Sequence, residues 1–308
     1  MRRHFRLSFI ILIAILAVTP AFAQGQQRIP ADVELIRDVE YGKGGGVSLK
    51  LDIIRPKTQP KDPMPVVIFV HGGGWYAGDK QGADLFLIPF ARKGYFCASI
   101  NYRLTTVAPF PAQIEDCKCA IRWMRAHAKE YNVDPRRIGV WGGSAGGHLV
   151  ALLGTSAGRK ELEGKGGWAG YSSRVQAVCD WCGPTDFLYW AEEVTKKGID
   201  IAKLENEVAG GAISKLFGGP FSRKRDLARQ AGPITYVSKD DPPFLIMHGD
   251  RDNIVPLSQS QVFHDALKKA GVDSTLKILE GAGHGFDPKY EAEKTVMEFF
   301  DKHLKPRR

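Results

Sequence analysis

The sequence predicts an α/β fold: a mostly parallel central sheet flanked by helices, with a small insertion over the active-site end. Three observations carry that reading. Continuously apolar runs of strand length recur along the chain, amphipathic helical stripes fall between them, and glycine-rich turns follow several of the runs.

In chain order, Val47, Leu49, Leu51 and Ile53 alternate with Ser48, Lys50 and Asp52, the pattern of a strand with one buried face. The glycine-rich stretch Gly42–Gly46 before it reads as a hairpin turn, which places an antiparallel edge on the sheet. Pro65–Val70 is apolar throughout, as expected of a central strand covered on both faces. Tyr95–Ile100, Ile138–Trp141, Val175–Cys179, Phe244–Met247 and Thr275–Leu279 read as further strands. Ile114, Cys117, Ile121, Met124, Ala128 and Tyr131 step by threes and fours behind Pro111, giving one helical stripe. Val262, Phe263, Ala266, Leu267 and Ala270 give another, stopping at Gly271. No repeat or low-complexity tract interrupts this order. Residues 187–232 do, being long, mixed and aromatic at the front, and they read either as an insertion over the active-site face or as an ordinary helical excursion.

The first residues predict a leader rather than part of the fold. Arg2, Arg3 and Arg6 precede the apolar run Leu7–Val18, and Ala21-Phe22-Ala23 offers small residues for cleavage. An uncleaved anchor is the competing reading, but the run is short for a span of about 20 residues. The expectation is a signal peptide over 1–23, a single domain over 24–308, and a periplasmic or extracellular protein without stable membrane association after cleavage. Removing the three leader arginines takes the formal charge from +9 to +6. The remaining basic residues are scattered, so a nucleic-acid partner is not expected. Cys97, Cys117, Cys119, Cys179 and Cys182 leave at least one thiol unpaired within a chain. Cys179 and Cys182 have Cys-x-x-Cys spacing but no second pair, so buried small hydrophobes with at most one bridge are expected, and no metal site.

The strongest chemical signal is Gly142-Gly143-Ser144-Ala145-Gly146, set between the strand Ile138–Trp141 and a helix from Ala145. Glycines on both sides let the chain reverse sharply and present Ser144 at the carboxyl ends of the strands. His71-Gly72-Gly73-Gly74-Trp75 directly follows the central strand. Its glycines let backbone N–H groups converge on one point, so Gly73, Gly74 and Ala145 are the candidate oxyanion donors. A phosphate loop is excluded by the lack of a following Gly-Lys-Ser/Thr. A serine hydroxyl needs a base, and the base needs a third group to hold it. Of eight histidines, only His284, in Gly281-Ala282-Gly283-His284-Gly285, satisfies the order serine, acid, histidine. His71 reads as a brace for its loop, His148 as packing beneath the turn, and His248 precedes the acids. The loop after Phe244–Met247 offers Asp250 and Asp252; the former lies nearer the strand, where backbone hydrogen bonding is expected. Trp75, Phe187 and Trp190 are candidate substrate contacts. Phe187, Tyr189 and Trp190 could stack on a sugar or phenolic ring, or all three could be core.

With these motifs in place, the chain resembles the α/β-hydrolase superfamily, and within it bacterial feruloyl/acetyl-xylan esterases and hormone-sensitive-lipase-like esterases. The shared residues are His71–Asp79, Asn101-Tyr102-Arg103, Asp134-Pro135, Gly143–Leu149, Pro184-Thr185-Asp186, His248–Pro256 and Gly283-His284-Gly285. The resemblance implies the acid is the second aspartate of the His248–Pro256 segment, Asp252. It implies a two-step ester hydrolysis by Ser144, Asp252 and His284 with no metal or cofactor. The implied substrate is a small-molecule or polysaccharide ester, such as acetyl or feruloyl groups on xylan. The alternatives are a general short-chain carboxylesterase, an arylformamidase-like hydrolase, and a catalytically silent hydrolase fold that binds a carbohydrate or partner.

Overall fold

The computed structural model describes residues 29–198, 200 and 211–306. The expected leader at 1–23, with His4, lies outside the described residues, as do Gly210, Arg307 and Arg308. Among the described residues no helix is long and apolar enough to cross a membrane.

Eight strands form one sheet in the order β1-β2-β4-β3-β5-β6-β7-β8. They are β1 (Val33–Gly44), β2 (Val47–Pro56), β3 (Met64–Val70), β4 (Phe96–Ile100), β5 (Val133–Gly143), β6 (Ala177–Trp181), β7 (Phe244–Gly249) and β8 (Ser274–Leu279). β1 pairs antiparallel with β2, and β2 with β4; every later pair is parallel. The apolar runs β3 and β4 lie side by side in the middle, with only Phe69 of the two incompletely buried. One expected boundary moves. The glycines at 42–44 are not turn but strand, with Gly44 paired to Val47 and the Lys43 N–H on the Gly166 carbonyl. The reversal takes only Gly45 and Gly46, at φ 55° and 85°, as a tight two-residue hairpin requires.

The helices are α1 (Asp84–Arg92), α2 (Ala112–Ala126), α3 (Ala145–Thr155), α4 (Phe187–Lys196), α5 (Ala212–Phe217), α6 (Arg225–Ala231), α7 (Ser258–Lys269) and α8 (Ala292–Leu304). The first predicted stripe is α2, but its last members, Ala128 and Tyr131, lie beyond the His127 cap. The second is α7, with Gly271 following at φ 85°. α1 and α8 meet through Phe90 and Phe300, ring centroids 6.1 Å apart, while α2 and α3 pack together elsewhere on the sheet. Residues 187–232 hold α4, α5 and α6, so this stretch is helical where described. The five cysteines are all buried and free.

This topology decides where chemistry can sit. From β3 the chain crosses to β4 on one side, then returns past β3 to β5 on the other. The carboxyl ends of β3 and β5 flank that reversal, where open α/β sheets leave a crevice. The loop at 71–75 follows β3, and Ser144 follows β5.

Candidate active site

Ser144 occupies the turn between β5 and α3 with φ 57° and ψ −121°, a conformation L-residues rarely hold. Neighbouring backbone over-determines it. The Ser144 N–H donates to the Trp181 carbonyl at 2.7 Å, and the His148 N–H to the Ser144 carbonyl at 2.9 Å. Only glycine fits at 146, because a Cβ there would lie 2.7 Å from the His71 carbonyl oxygen and nearer still to that of Val70. The turn is therefore held against the end of β3.

His284 and Asp252 reach Ser144 from the two loops beyond β7 and β8. Ser144 Oγ lies 2.8 Å from His284 Nε2, and His284 Nδ1 lies 2.7 Å from Asp252 Oδ2. Asp252 Oδ1 accepts from the Ile254 and Val255 N–H groups at 2.8 and 2.9 Å. Burial alone would raise this carboxyl, but hydrogen bonds from His248 and His284 hold it well below the usual carboxylate range. Asp250 stands apart, its Oδ1 accepting from the Gly281 N–H at 2.7 Å.

The loop after β3 is braced from β4. The Tyr102 hydroxyl donates to the His71 carbonyl at 3.1 Å, and the two rings stack at 4.3 Å. His71 Nδ1 bonds the Gly72 carbonyl at 2.8 Å, and burial pushes its imidazole below the usual range. Gly73 closes the turn, its carbonyl accepting from Tyr76 and Ala77. Gly74 and Ala145 line a small cavity beside Ser144. Beneath it, the Trp75 indole N–H donates to His148 Nδ1 at 3.1 Å, and His148 Nε2 meets the Ala231 carbonyl at 2.7 Å. Burial lowers the His148 imidazole to about 4, so it is a neutral strut. His127, His264 and His303 pack elsewhere, against Trp123, Ser274 and Phe299.

The cavity has a volume of ≈ 20 Å³ and is walled by Trp75, Pro184, Trp190, Ala212, Ile213, Ile254 and Val255. Of the predicted substrate contacts, Trp75 and Trp190 line it. Phe187 does not, and its placement there is corrected. It is 1% exposed, packed edge-on against His148 and Phe217 at centroid distances of 5.3 Å. The reason is position along α4: in its first turn, after the Asp186 cap, the Phe187 ring is taken up by His148 and Phe217, while Trp190 one turn on reaches the cavity. Tyr189 lines a separate surface cleft with Leu188 and Glu192.

Three features escaped the sequence reading. Ala212, Ile213, Ile254 and Val255 come to the cavity from distant segments. His248, at the end of β7, touches Asp252, which its position four residues upstream could have flagged. Cys182 offers Sγ within 4.8 Å of Asp252 and His284 ligand atoms. That thiol is pushed well above its ordinary range by burial, then by Asp252 and Asp180, so it does not present the thiolate that zinc prefers.

The sheet, the sharp turn at Ser144 and the crevice define the class: this chain has the α/β-hydrolase fold. The BD-FAE family model matches residues 51–267, and the chain belongs to that family. It is 36% identical to Esterase LipC of Mycobacterium tuberculosis over 241 residues, 77% of this chain and 57% of LipC. The chain thus spans less than two thirds of the length of such curated relatives. A solved carbohydrate esterase from gut microbiota, in truncated form, shares 33% identity at a TM-score of 0.75, covering 87% of this chain and 95% of that one. Thermogutta terrifontis esterase 2 with propionate bound shares 27% identity at a TM-score of 0.71, covering 90% and 97%.

Proposed function

We propose that this protein is an exported serine esterase that removes short acyl groups from polysaccharide. The carrying observation is the hydrogen-bonded line from Ser144 Oγ through His284 to Asp252, beside a cavity sized for a small group. Ser144, losing its proton to His284 Nε2, attacks the ester carbonyl. The N–H groups of Gly73, Gly74 and Ala145 receive the oxyanion; removing one such donor costs roughly 3–4 kcal/mol in a well-studied protease. His284 then protonates the leaving alcohol, and water repeats the sequence on the acyl-enzyme. Asp252, ionised well below neutrality, orients His284 and offsets its transient charge.

The cavity beside Ser144 is small, ≈ 20 Å³, and mostly apolar in its walls, which supports a short acyl group. On this reading acetyl is the favoured acyl group and a feruloyl ring is disfavoured on the acyl side. Helices α4 and α5 act as the cap that sets this limit, through Trp190 and Ile213. Polysaccharide as the alcohol is supported by the likeness to a carbohydrate esterase, and export by the leader pattern at 1–23. A general short-chain carboxylesterase is the second reading, favoured by the propionate-bound relative. Acid release from acetylated xylan, methyl ferulate and p-nitrophenyl esters of graded length separates the two. Faster turnover of acetylated xylan than of p-nitrophenyl acetate at matched ester concentration supports the first. Release from p-nitrophenyl esters alone supports the second, and ferulate release as the fastest reaction contradicts the acyl assignment.

A further inference from the structure

The loop that carries Asp252 holds a second imidazole against it. His248, at the end of β7, is fully buried. Its Nε2 lies 2.9 Å from the Val255 carbonyl oxygen and 3.2 Å from Asp252 Oδ2, and its Nδ1 lies 2.7 Å from Ser260 Oγ on α7. Carbonyl and carboxylate oxygens only accept, so a ring nitrogen facing both must carry a proton and donate. The Ser260 hydroxyl closes the other side of the ring. Oδ2 is the same oxygen that takes the His284 Nδ1–H, so two imidazoles lie against one carboxylate oxygen. The triad scheme uses only one of them.

We infer that His248 is a positioning residue for the Ser144 reaction: its Nε2–H fixes Asp252 Oδ2 toward His284 and shares that oxygen's charge. This rests on the proposed triad. The Nε2–H bonded to the Val255 carbonyl lies 3.2 Å from Oδ2, so its positive end offsets part of that oxygen's attraction for His284. Without the His248 donor the full charge of Oδ2 falls on His284 and favours its protonated form, so the base is freed only at higher pH. The acid limb of the kcat/KM profile then moves up.

Other groups face this cluster. Asp180 at the end of β6 is buried near His248, and burial pushes its carboxyl up to about 6. Cys182 follows β6 with a thiol pushed far above the working range. Ser144 and Ser260 are neutral hydroxyls, Asp250 is engaged by Gly281, and Arg251 is exposed. Since Asp180 could titrate in the same window, the test compares variants that all retain it.

His248→Phe keeps a ring and removes the N–H. His248→Gln returns an amide N–H near the Nε2 position. With p-nitrophenyl acetate from pH 4 to 8, His248→Phe should lower kcat at least about 10-fold with KM little changed, since His248 touches no substrate. Its acid limb should rise by roughly half to one pH unit, and His248→Gln should restore the limb. An unmoved limb in His248→Phe overturns the inference, as does an equal shift in both variants, which would make ring packing the cause. Should His248→Phe not fold, ¹⁵N-histidine NMR of the unsubstituted protein decides. A protonated Nε2 on His248 supports the inference, and a proton on Nδ1 alone overturns it. Failure of the triad itself reads differently: full activity in Asp252→Asn.

Discussion

On the proposed acyl assignment, Ile213→Ala should shift preference from acetyl toward butyryl esters. Ile213, 2% exposed on α5, forms part of the wall of the cavity beside Ser144. The substitution removes three carbons from that wall, and butyryl differs from acetyl by two methylenes. In the parent those methylenes have nowhere to go, and forcing them in costs about 1–3 kcal/mol. In the variant each is buried instead, worth about 0.8 kcal/mol. The gain alone is about 1.6 kcal/mol, or roughly a 15-fold rise in the butyrate-to-acetate ratio of kcat/KM. Relief of the steric cost adds to it. The same change removes core packing and should lower stability by about 2–5 kcal/mol, so the assay runs well below the measured Tm. The measurement is kcat/KM on p-nitrophenyl acetate, propionate and butyrate for parent and variant. A ratio unchanged within twofold in a folded variant would refute the claim that this cavity holds the acyl group.

Three further outcomes follow from the geometry. Asp252→Asn should lower kcat on the order of 10³–10⁴-fold, and Asp250→Asn far less, because only Asp252 contacts His284; the reverse order in steady-state kinetics would mean the wrong acid. Asp180, buried and raised to about 6, binds its proton more tightly in the folded state than in the unfolded one, so it costs stability as pH rises from about 4 through 6. Asp180→Asn removes that loss, worth up to about 3 kcal/mol at pH 7.5 and little at pH 4, which urea unfolding at the two pH values reads; equal effects at both would contradict it. Gly146→Ala should fail to fold or lose activity altogether, since its Cβ would meet the ends of β3; near-parent expression and turnover would show the elbow looser than described.

Much of this architecture was legible because it rests on local rules. Continuous apolar runs reported strands covered on both faces, and glycines marked the one turn sharp enough to present Ser144. Chain order chose His284 from eight histidines. The resemblance, not the spacing, separated Asp252 from Asp250. What the sequence hid depends on tertiary approach. Phe187 and Trp190 sit three residues apart on one helical face, so periodicity cannot tell which looks into the cavity. The packing of the Phe187 ring against His148 and Phe217 separates them, and only the folded chain shows it. Ile213 and Val255 meet across more than 40 residues, and nothing local predicts that meeting. α1 carries Pro89 inside it, which obscured its helical pattern. The double use of Asp252 Oδ2 arises because β7 ends with His248 aimed back under its own loop.

The nucleophile is the centre of the account, and intact-protein mass spectrometry after a fluorophosphonate probe tests it most directly. The parent should gain one adduct, mapped by peptide digestion to Ser144, with loss of esterase activity in step. Ser144→Ala should take up none and turn over esters at least ~10³-fold more slowly, and adding His284→Ala should cost little more. An adduct on another residue, or retained turnover in Ser144→Ala, would contradict it.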